Sequence, residues 1–277
     1  MSGDLWSDIG WVCLAGAAGC LLWAVTGFVL AHLLGRNNIV DTIWGLGFVL
    51  VAAFAVVVSV GLGNGDPLRR TLLMLTVLVW GVRLAWHVGR RGAGKGEDPR
   101  YADLLGKGHG SATVRAVLLI FAPQALALFV VSLPVQLGVV ERGPVGVLGW
   151  LGVAVWAVGL CFEAVGDAQM SRYKADPDNK GKIADIGLWS YTRHPNYFGD
   201  AMVWWGVWII AAERWPGVLS VIGPVLMTGL LVFGTGKRLL EKSMKDRPGY
   251  RDYMRRTSGF VPLPHSVQRR LTGSRAG

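Results

Sequence analysis

The chain has 277 residues, of which 52% are hydrophobic, and carries a formal net charge of +10 at pH 7. A chain of this length and apolarity forms either one large domain or one bundle of membrane helices. The charge alone would suit nucleic acid, but the basic residues are concentrated in alternate connections between apolar segments, which argues against that class of partner. Cys13, Cys20 and Cys161 fall inside apolar segments without paired spacing, so the sequence predicts neither a disulfide nor a metal site.

Seven apolar segments predict membrane-spanning helices. A span needs about 20 mainly apolar residues. The segments are residues 9–34, 40–62, 71–88, 113–137, 145–170, 197–212 and 216–236, and the sixth is the shortest. The first segment is too long for a cleavable signal peptide and lacks a basic flank before it. We therefore expect an all-α integral membrane protein, built as a seven-transmembrane helix bundle.

The distribution of charge predicts the orientation of this bundle. Of the 28 Lys and Arg residues, 22 follow the first, third, fifth and seventh segments. Four fall after the second, fourth and sixth segments, namely Arg69, Arg70, Arg142 and Arg214. Because positive residues accumulate on the cytoplasmic side, the N-terminus is expected outside and the C-terminus inside. The prediction is a multi-pass protein of the inner or plasma membrane whose basic faces contact anionic lipid headgroups.

Polar residues in the first half of the chain suggest a site near the inner ends of spans two and three. Asp41 opens the second span, either as a helix cap or as a buried acid. Arg83 and His87 share a face of the third span. The charged loop 92–110 that follows contains Tyr101, and it suits either a cover over a site or a mobile linker.

The fifth span carries two acids one helical turn apart, Glu163 and Asp167. A carboxylate inside a membrane costs roughly 2.5–3.5 kcal/mol at the helix centre. Near the span's inner end these acids either reach water or line a polar cavity, and the pairing favours the cavity.

The stretch 187–205 brings the largest set of polar groups against an apolar run. Arg193 and His194 precede Pro195, which favours a helix start at that point. The free backbone N–H groups of a helix start, together with these two side chains, suit a phosphate or carboxylate. The alternative is an ordinary juxtamembrane segment with a helix cap.

The C-terminal region predicts an amphipathic helix over residues 237–246, with a basic outer face suited to the membrane surface. Pro248 and Gly249 end it, and Tyr250 and Tyr253 follow. We expect one domain over residues 1–264 and a basic, disordered cytoplasmic tail over residues 265–277.

The motif GLWSYTRHPNYFGDAMVWWG, at residues 187–206, resembles the signature of bacterial membrane proteins related to steroid 5-alpha-reductases. That superfamily includes the sterol reductases and the isoprenylcysteine carboxyl methyltransferases. The resemblance extends to the residues at 41–45, 97–101 and 163–169, and to Glu241 with the aromatic residues after it.

The resemblance implies NADPH in a cytoplasmic cavity enclosed by the later spans. The cofactor-binding positions that it implies are Glu163, Asp167, Arg172, Lys174, Asn179, Trp189, Arg193, His194, Asn196, Tyr197, Asp200, Trp204, Glu241, Tyr250 and Tyr253. Arg172, Lys174, Arg193 and His194 would suit the phosphates. Candidate catalytic acids are Asp41, Tyr101 and His87.

The expected activity is the NADPH-dependent reduction of a carbon–carbon double bond in a lipid. The candidate substrates include steroid-like compounds and enones. The steroid enzymes carry a Gln-Glu pair on the second span that this chain lacks, so a steroid substrate is not implied. One alternative is an S-adenosylmethionine-dependent methyltransferase of the isoprenylcysteine type, which shares the motif at 193–199 and Glu241. The other is a non-catalytic lipid-binding membrane protein.

Overall fold

The computed structural model of the chain describes residues 4–106, 111–234 and 236–272, with side chains described as far as residue 268. These residues are almost entirely helical and contain no strand. The α-helices are α1 (Leu5–Leu34), α2 (Ile39–Gly61), α3 (Pro67–Gly92), α4 (Pro99–Gly106), α5 (Ala112–Ala116), α6 (Ala122–Val131), α7 (Leu133–Gly138), α8 (Val147–Ala175), α9 (Pro195–Ala212), α10 (Ile222–Val232), α11 (Lys237–Met244), α12 (Tyr250–Arg256) and α13 (His265–Thr272).

Six helical segments in the described part of the chain are long and apolar enough to cross a membrane. They are Leu5–Leu34, Ile39–Gly61, Pro67–Gly92, Ala112–Gly138, Val147–Ala175 and Gly217–Met244. These correspond to six of the seven predicted segments. The remaining prediction, at 197–212, coincides with α9, an 18-residue helix that is not among the six because its first turns are polar. The multi-pass membrane class is therefore confirmed, whereas the seventh span stays a prediction.

The fourth span is interrupted, and its two prolines account for the interruptions. A π-helical turn at Val117–Phe121 precedes Pro123, and α6 gives way to α7 at Ser132, just before Pro134. Proline lacks the backbone N–H that a regular helix needs, so the neighbouring backbone hydrogen bonds rearrange around it. The Ser132 hydroxyl and the Gln136 amide then donate to the carbonyl of Phe129, each at 3.0 Å.

The chain divides into two compact units. Unit 1 comprises Met1–Val153 and Val207–Gly223, and unit 2 comprises Ala154–Gly206 and Pro224–Gly277. The polypeptide passes between them within α8, α9 and α10. The expectation of one domain over residues 1–264 did not include this division.

The core of unit 1 is an aromatic chain across its first three helices. Trp44 of α2 lies edge-on to Trp23 and to Phe48, with ring centroids 5.8 and 5.2 Å apart, and Phe48 lies 5.4 Å from Trp80 of α3. A β-carbon on Gly45 would lie 2.5 Å from the carbonyl oxygen of Gly81. Small residues at this crossing therefore let α2 and α3 approach backbone to backbone, as membrane helices commonly do.

A buried ionic cluster joins three connections of unit 1. Arg69 is fully buried, donates to Glu213 at 2.9 Å and to the Ile210 carbonyl, and lies 3.6 Å from Glu141. The Glu213 carboxylate also accepts the backbone N–H groups of Gly146 and Gly149 at the start of α8. Burial raises the pKa of Glu141 to about 8, despite the nearby guanidinium. Arg69 was assigned to a loop from sequence, but it lies in the first turn of α3, and its role is to fix these connections together.

In unit 2, α8 and α9 are in close contact through glycines. A β-carbon on Gly199 would lie 2.4 Å from the backbone nitrogen of Glu163, and one on Gly159 would lie 2.6 Å from the carbonyl oxygen of Gly199. Gly166 faces Pro195 and Asn196 in the same way, at 3.2 and 3.3 Å. The start of α9 is thereby held directly against the acidic face of α8.

The predicted disordered tail is wrong for residues 265–272. This segment forms α13, whose Gln268 is buried and donates to the carbonyl oxygens of Ser190, Tyr191 and Leu263. The composition suggested disorder because the segment is polar, but one amide with three backbone acceptors fixes it. Residues 273–277 lie outside the described residues.

The close contact at Gly199 predicts that an added methyl group destabilises the protein there, whereas the same change at Gly229 does not. Gly199→Ala pushes a methyl group into the Glu163 backbone and should destabilise the protein by about 1–3 kcal/mol. Gly229→Ala on α10, with no atom within 4 Å of the added carbon, should be neutral or stabilise by about 0.5–1 kcal/mol. Thermal unfolding in detergent measures both, and equal midpoints for the two variants would contradict the close contact.

Candidate functional site

Arg193 is the centre of the polar cluster in unit 2. Its Nε donates to Glu241 Oε1 at 2.8 Å, and its Nη1 donates to the carbonyl oxygens of Met254, at 2.9 Å, and Thr257. The side chain is 9% exposed. A planar guanidinium can hold such divergent acceptors in one geometry, which an ammonium group cannot. Two of its three nitrogens thus bind the protein itself, so Arg193 braces the motif rather than standing open to a phosphate.

His194, which precedes α9, completes an ion-pair cluster on Glu241. Its Nε2 lies 3.1 Å from Glu241 Oε1, while Lys237 Nζ lies 3.6 Å from Oε2 of the same carboxylate. Burial lowers the pKa of His194, and Glu241 opposes that shift only in part. The ring is therefore neutral at pH 7, and facing a carboxylate it carries its proton on Nε2. Nδ1 is then a buried acceptor, and it has no partner among the described residues.

The acidic pair of α8 lies beside this cluster in the same unit. Glu163 and Asp167 are 3% and 7% exposed. Asn196, in the first turn of α9, donates its amide to Asp167 Oδ1 at 3.2 Å. Both side chains are buried within the protein, and the polar cavity expected around them stays a prediction.

Three aromatic residues enclose the motif. Trp189 donates its indole N–H to the Gly166 carbonyl at 3.0 Å, and the Tyr253 hydroxyl donates to the Trp189 carbonyl. Tyr250 is buried, and burial with the charge of Glu241 raises its pKa to about 12. Burial also raises the pKa of Tyr253. Both phenols therefore stay protonated. Tyr253 contacts the motif through the Trp189 carbonyl, and the cofactor-binding role of the two tyrosines stays a prediction.

The other predicted cofactor residues of unit 2 differ in exposure. Arg172 and Lys174 are exposed in the last turn of α8. Asn179 caps its own turn, with its amide 3.2 Å from both the Tyr173 carbonyl and Asp176. Tyr197 and Asp200 are half-buried and Trp204 is fully buried, all on α9. Arg172 and Lys174 are consequently the cations of the predicted set that face solvent.

The catalytic candidates all belong to unit 1, and two of them are in contact. The Tyr101 hydroxyl donates to Asp41 Oδ1 at 2.6 Å, and Arg100 Nη2 lies 3.6 Å from Asp41 Oδ2. Burial and the charge of Asp41 raise the pKa of Tyr101, so this hydroxyl keeps its proton. His87 is half-buried on α3.

A clamp that sequence reasoning missed holds the Tyr101 segment in place. The Glu97 carboxylate accepts the backbone N–H groups of Asn37 and Asn38, at 2.6 and 3.0 Å. Asn38 in turn donates to the Gly96 carbonyl at 2.8 Å. Loop 92–110 is therefore fixed, up to Gly106, onto the turn between α1 and α2, and residues 107–110 lie outside the described residues. The two asparagines before Asp41 were the available signal.

Unit 2 also contains positioning residues that the sequence did not reveal. Thr192 bridges to Ser258 and donates its hydroxyl to the Phe260 carbonyl at 2.8 Å. Gln169 accepts the Leu188 backbone N–H at 2.9 Å. These contacts join the motif to residues far away in sequence, so no local periodicity marks them.

The long apolar helices define the chain as a multi-pass helical membrane protein. It belongs to the membrane-protein family described as "protein of unknown function (DUF1295)", whose model matches residues 27–257. Comparisons with curated proteins and with solved structures gave no match.

The bracing role of Arg193 predicts the effect of a conservative substitution. Arg193→Lys keeps the positive charge but loses the planar guanidinium that reaches several acceptors at once. At least one buried acceptor is then left unpaired, which should lower the free energy of unfolding by about 1–3 kcal/mol. Hydrogen exchange should quicken across residues 250–263, and the unfolding midpoint should fall. Arg247→Lys, on an exposed arginine, is the matched control. Unaltered exchange in the first variant would rule out the brace.

The buried neutral His194 predicts a pH dependence of stability. Because its folded pKa is lowered below the ordinary value of 6.5, its contribution is complete above that pH and is lost as the pH falls further. The uptake of one proton changes the free energy of unfolding by at most about 1.4 kcal/mol per pH unit. His194→Gln should flatten the decline in unfolding midpoint between pH 7 and 5, whereas His265→Gln, at an exposed position, should leave it unchanged. Identical slopes in the wild type and His194→Gln would disprove the assignment.

Proposed function

We propose that this protein is an NADPH-dependent membrane reductase that acts on a carbon–carbon double bond of a lipid, conjugated to a carbonyl. The proposal assigns cofactor binding to residues of unit 2. NADPH, when bound, supplies the hydride. The resemblance of residues 187–206 supports membership of the superfamily that contains both reductases and methyltransferases, and the choice between them rests on Tyr101.

The side chains of unit 2 fit a nucleotide in two respects. Nδ1 of His194 is a buried acceptor without a described partner, which suits a hydroxyl or amide of a ligand. Arg172 and Lys174 are exposed cations on the same helix as the buried acids, which suits the phosphates. The engaged guanidinium of Arg193 fits a structural role, so we do not assign it to the phosphates.

The contact between Tyr101 and Asp41 favours reduction over methyl transfer. Hydride addition to an enone develops negative charge on the carbonyl oxygen, which a protonated hydroxyl stabilises. Tyr101 keeps its proton because burial and Asp41 raise its pKa, and Glu97 holds its segment in place. This single proton is donated to Asp41 Oδ1 in the substrate-free protein, so the hydroxyl must exchange Asp41 for the carbonyl oxygen when substrate binds. Methyl transfer to a thiolate or carboxylate requires no such donor. This pair is the observation on which the choice of reaction rests.

Contacts of α9 support a seventh crossing of the membrane. The helix starts beside Gly166 of α8, and Glu213, just after its end, accepts N–H groups of Gly146 and Gly149. It therefore returns along a candidate span. Its 18 residues extend about 27 Å at 1.5 Å per residue, close to a bilayer core of about 30 Å. With seven crossings, the charge distribution supports an N-terminus outside and a motif on the cytoplasmic face of the inner or plasma membrane.

Ligand-dependent stability separates the candidate functions. At 100 times its dissociation constant, a ligand raises the free energy of unfolding by about 2.7 kcal/mol. We expect NADPH to raise the unfolding midpoint of the detergent-purified protein, and S-adenosylmethionine to leave it unchanged. The reverse result would identify a methyltransferase, and no response to either would favour a non-catalytic lipid-binding protein.

A pair of charge variants locates the cofactor. Replacing Arg172 and Lys174 with alanine should weaken the NADPH response at least tenfold in apparent affinity, since each exposed cation contributes about 1 kcal/mol or more to a phosphate contact. Replacing Lys180 and Lys182, exposed in the following loop, is the matched control. An equal loss in both variants would mean that the response reflects net charge rather than a site.

A further inference from the structure

Helix α11 presents three chemically different faces. Its inner face carries Lys237, Glu241 and Met244, and it meets the motif through the ion pair of Glu241 with Arg193. A second face exposes Leu239 and Leu240, at 47% and 40%. The third face carries basic side chains at helical spacing, and all of them are exposed: Arg238, Lys242 and, just after the helix, Lys245.

The position of α11 along the chain places it at a membrane boundary. It follows α10 within the candidate span Gly217–Met244, of which residues 217–234 contain no charged residue. Phe233, at the end of that apolar stretch, is 73% exposed. Val232 and Lys237 are five residues apart, a distance of at most about 18 Å. The helix therefore begins within reach of the headgroup layer into which α10 emerges.

We propose that α11 docks on the membrane surface and binds the phosphate groups of anionic phospholipids. Leu239 and Leu240 enter the boundary of the acyl chains, while Arg238, Lys242 and Lys245 contact the headgroups. An amphipathic helix with leucines and flanking cations is suited to this interface. The proposal is independent of the cofactor and of the reaction.

Charge complementarity selects an anionic headgroup as the partner. Glu241 points inward to Arg193 and His194, and Asp246, which follows Lys245, lies 3.8 Å from Arg251, so the exposed face with Arg238, Lys242 and Lys245 keeps a net positive charge. Each basic residue near an anionic bilayer strengthens binding about fivefold. The lipid contact would also steady the helix whose inner face braces the motif, since both surfaces belong to the same two turns.

Hydrogen exchange of the full chain in lipid nanodiscs tests the proposal. Exchange over residues 238–245 is compared in phosphatidylcholine alone and in phosphatidylcholine with phosphatidylglycerol. We expect the anionic lipid to slow exchange in this helix, and the double variant Arg238→Gln and Lys242→Gln to reduce that effect by about 25-fold, that is, fivefold for each cation. The same exchange in both lipids for the wild type would overturn the proposal.

Three further experiments test whether the protection depends on the cations and leucines of α11 and on lipid-bound phosphate. Lys180→Gln with Lys182→Gln removes the same charge from exposed positions elsewhere in unit 2 and should keep the lipid effect. Leu239→Ser with Leu240→Ser should speed exchange in both lipids, and a variant that behaves as wild type would contradict docking through the leucines. Inorganic phosphate added to phosphatidylcholine nanodiscs should give no protection. Protection equal to that from phosphatidylglycerol would assign the basic face to a soluble phosphate and overturn the lipid assignment.

Discussion

A single guanidinium, only 9% exposed, organises the polar cluster of unit 2. Arg193 holds Glu241, Met254 and Thr257, which lie 48, 61 and 64 residues further along the chain. Without it, the carbonyls of Met254 and Thr257 would lose their side-chain donor, and each such loss costs about 1–3 kcal/mol, while Glu241 would keep only His194 and Lys237. The positions of α11, α12 and the segment after them therefore follow from one side chain just before α9.

This constraint changes the chemistry that the motif offers. Arginine followed by histidine at a helix start suggests an anion site, because free N–H groups and two cations would converge there. In the folded protein the arginine is neutralised by Glu241, and the histidine is neutral because it is buried. The cluster thus presents an acceptor at Nδ1 of His194 instead of a concentration of positive charge. Solvent-facing cations lie instead at the end of α8, on Arg172 and Lys174.

The helices could be predicted from sequence because a bilayer imposes their length and apolarity. Most errors lie at helix ends, where a few polar residues decide the boundary. Arg69 was counted as a loop residue because burial of a charge depends on Glu141 and Glu213, which come from distant connections. Residues 265–272 look disordered by composition, yet Gln268 finds three carbonyl acceptors. Partners of this kind leave no periodic signal, so Glu97, Thr192 and Gln169 were not identified either.

A motif with a bracing role also explains why two chemistries can share it. In the proposed function, the ion pair between Arg193 and Glu241 braces the chain whichever cofactor binds, so its presence does not distinguish hydride transfer from methyl transfer. The distinction must come from a group that only one of the reactions needs. In the proposed function, reduction of an enone needs a hydrogen-bond donor for the developing enolate, and Tyr101 keeps its proton and lies on a clamped segment. In the proposed function, the residue that selects the reaction therefore lies outside the motif at 187–206.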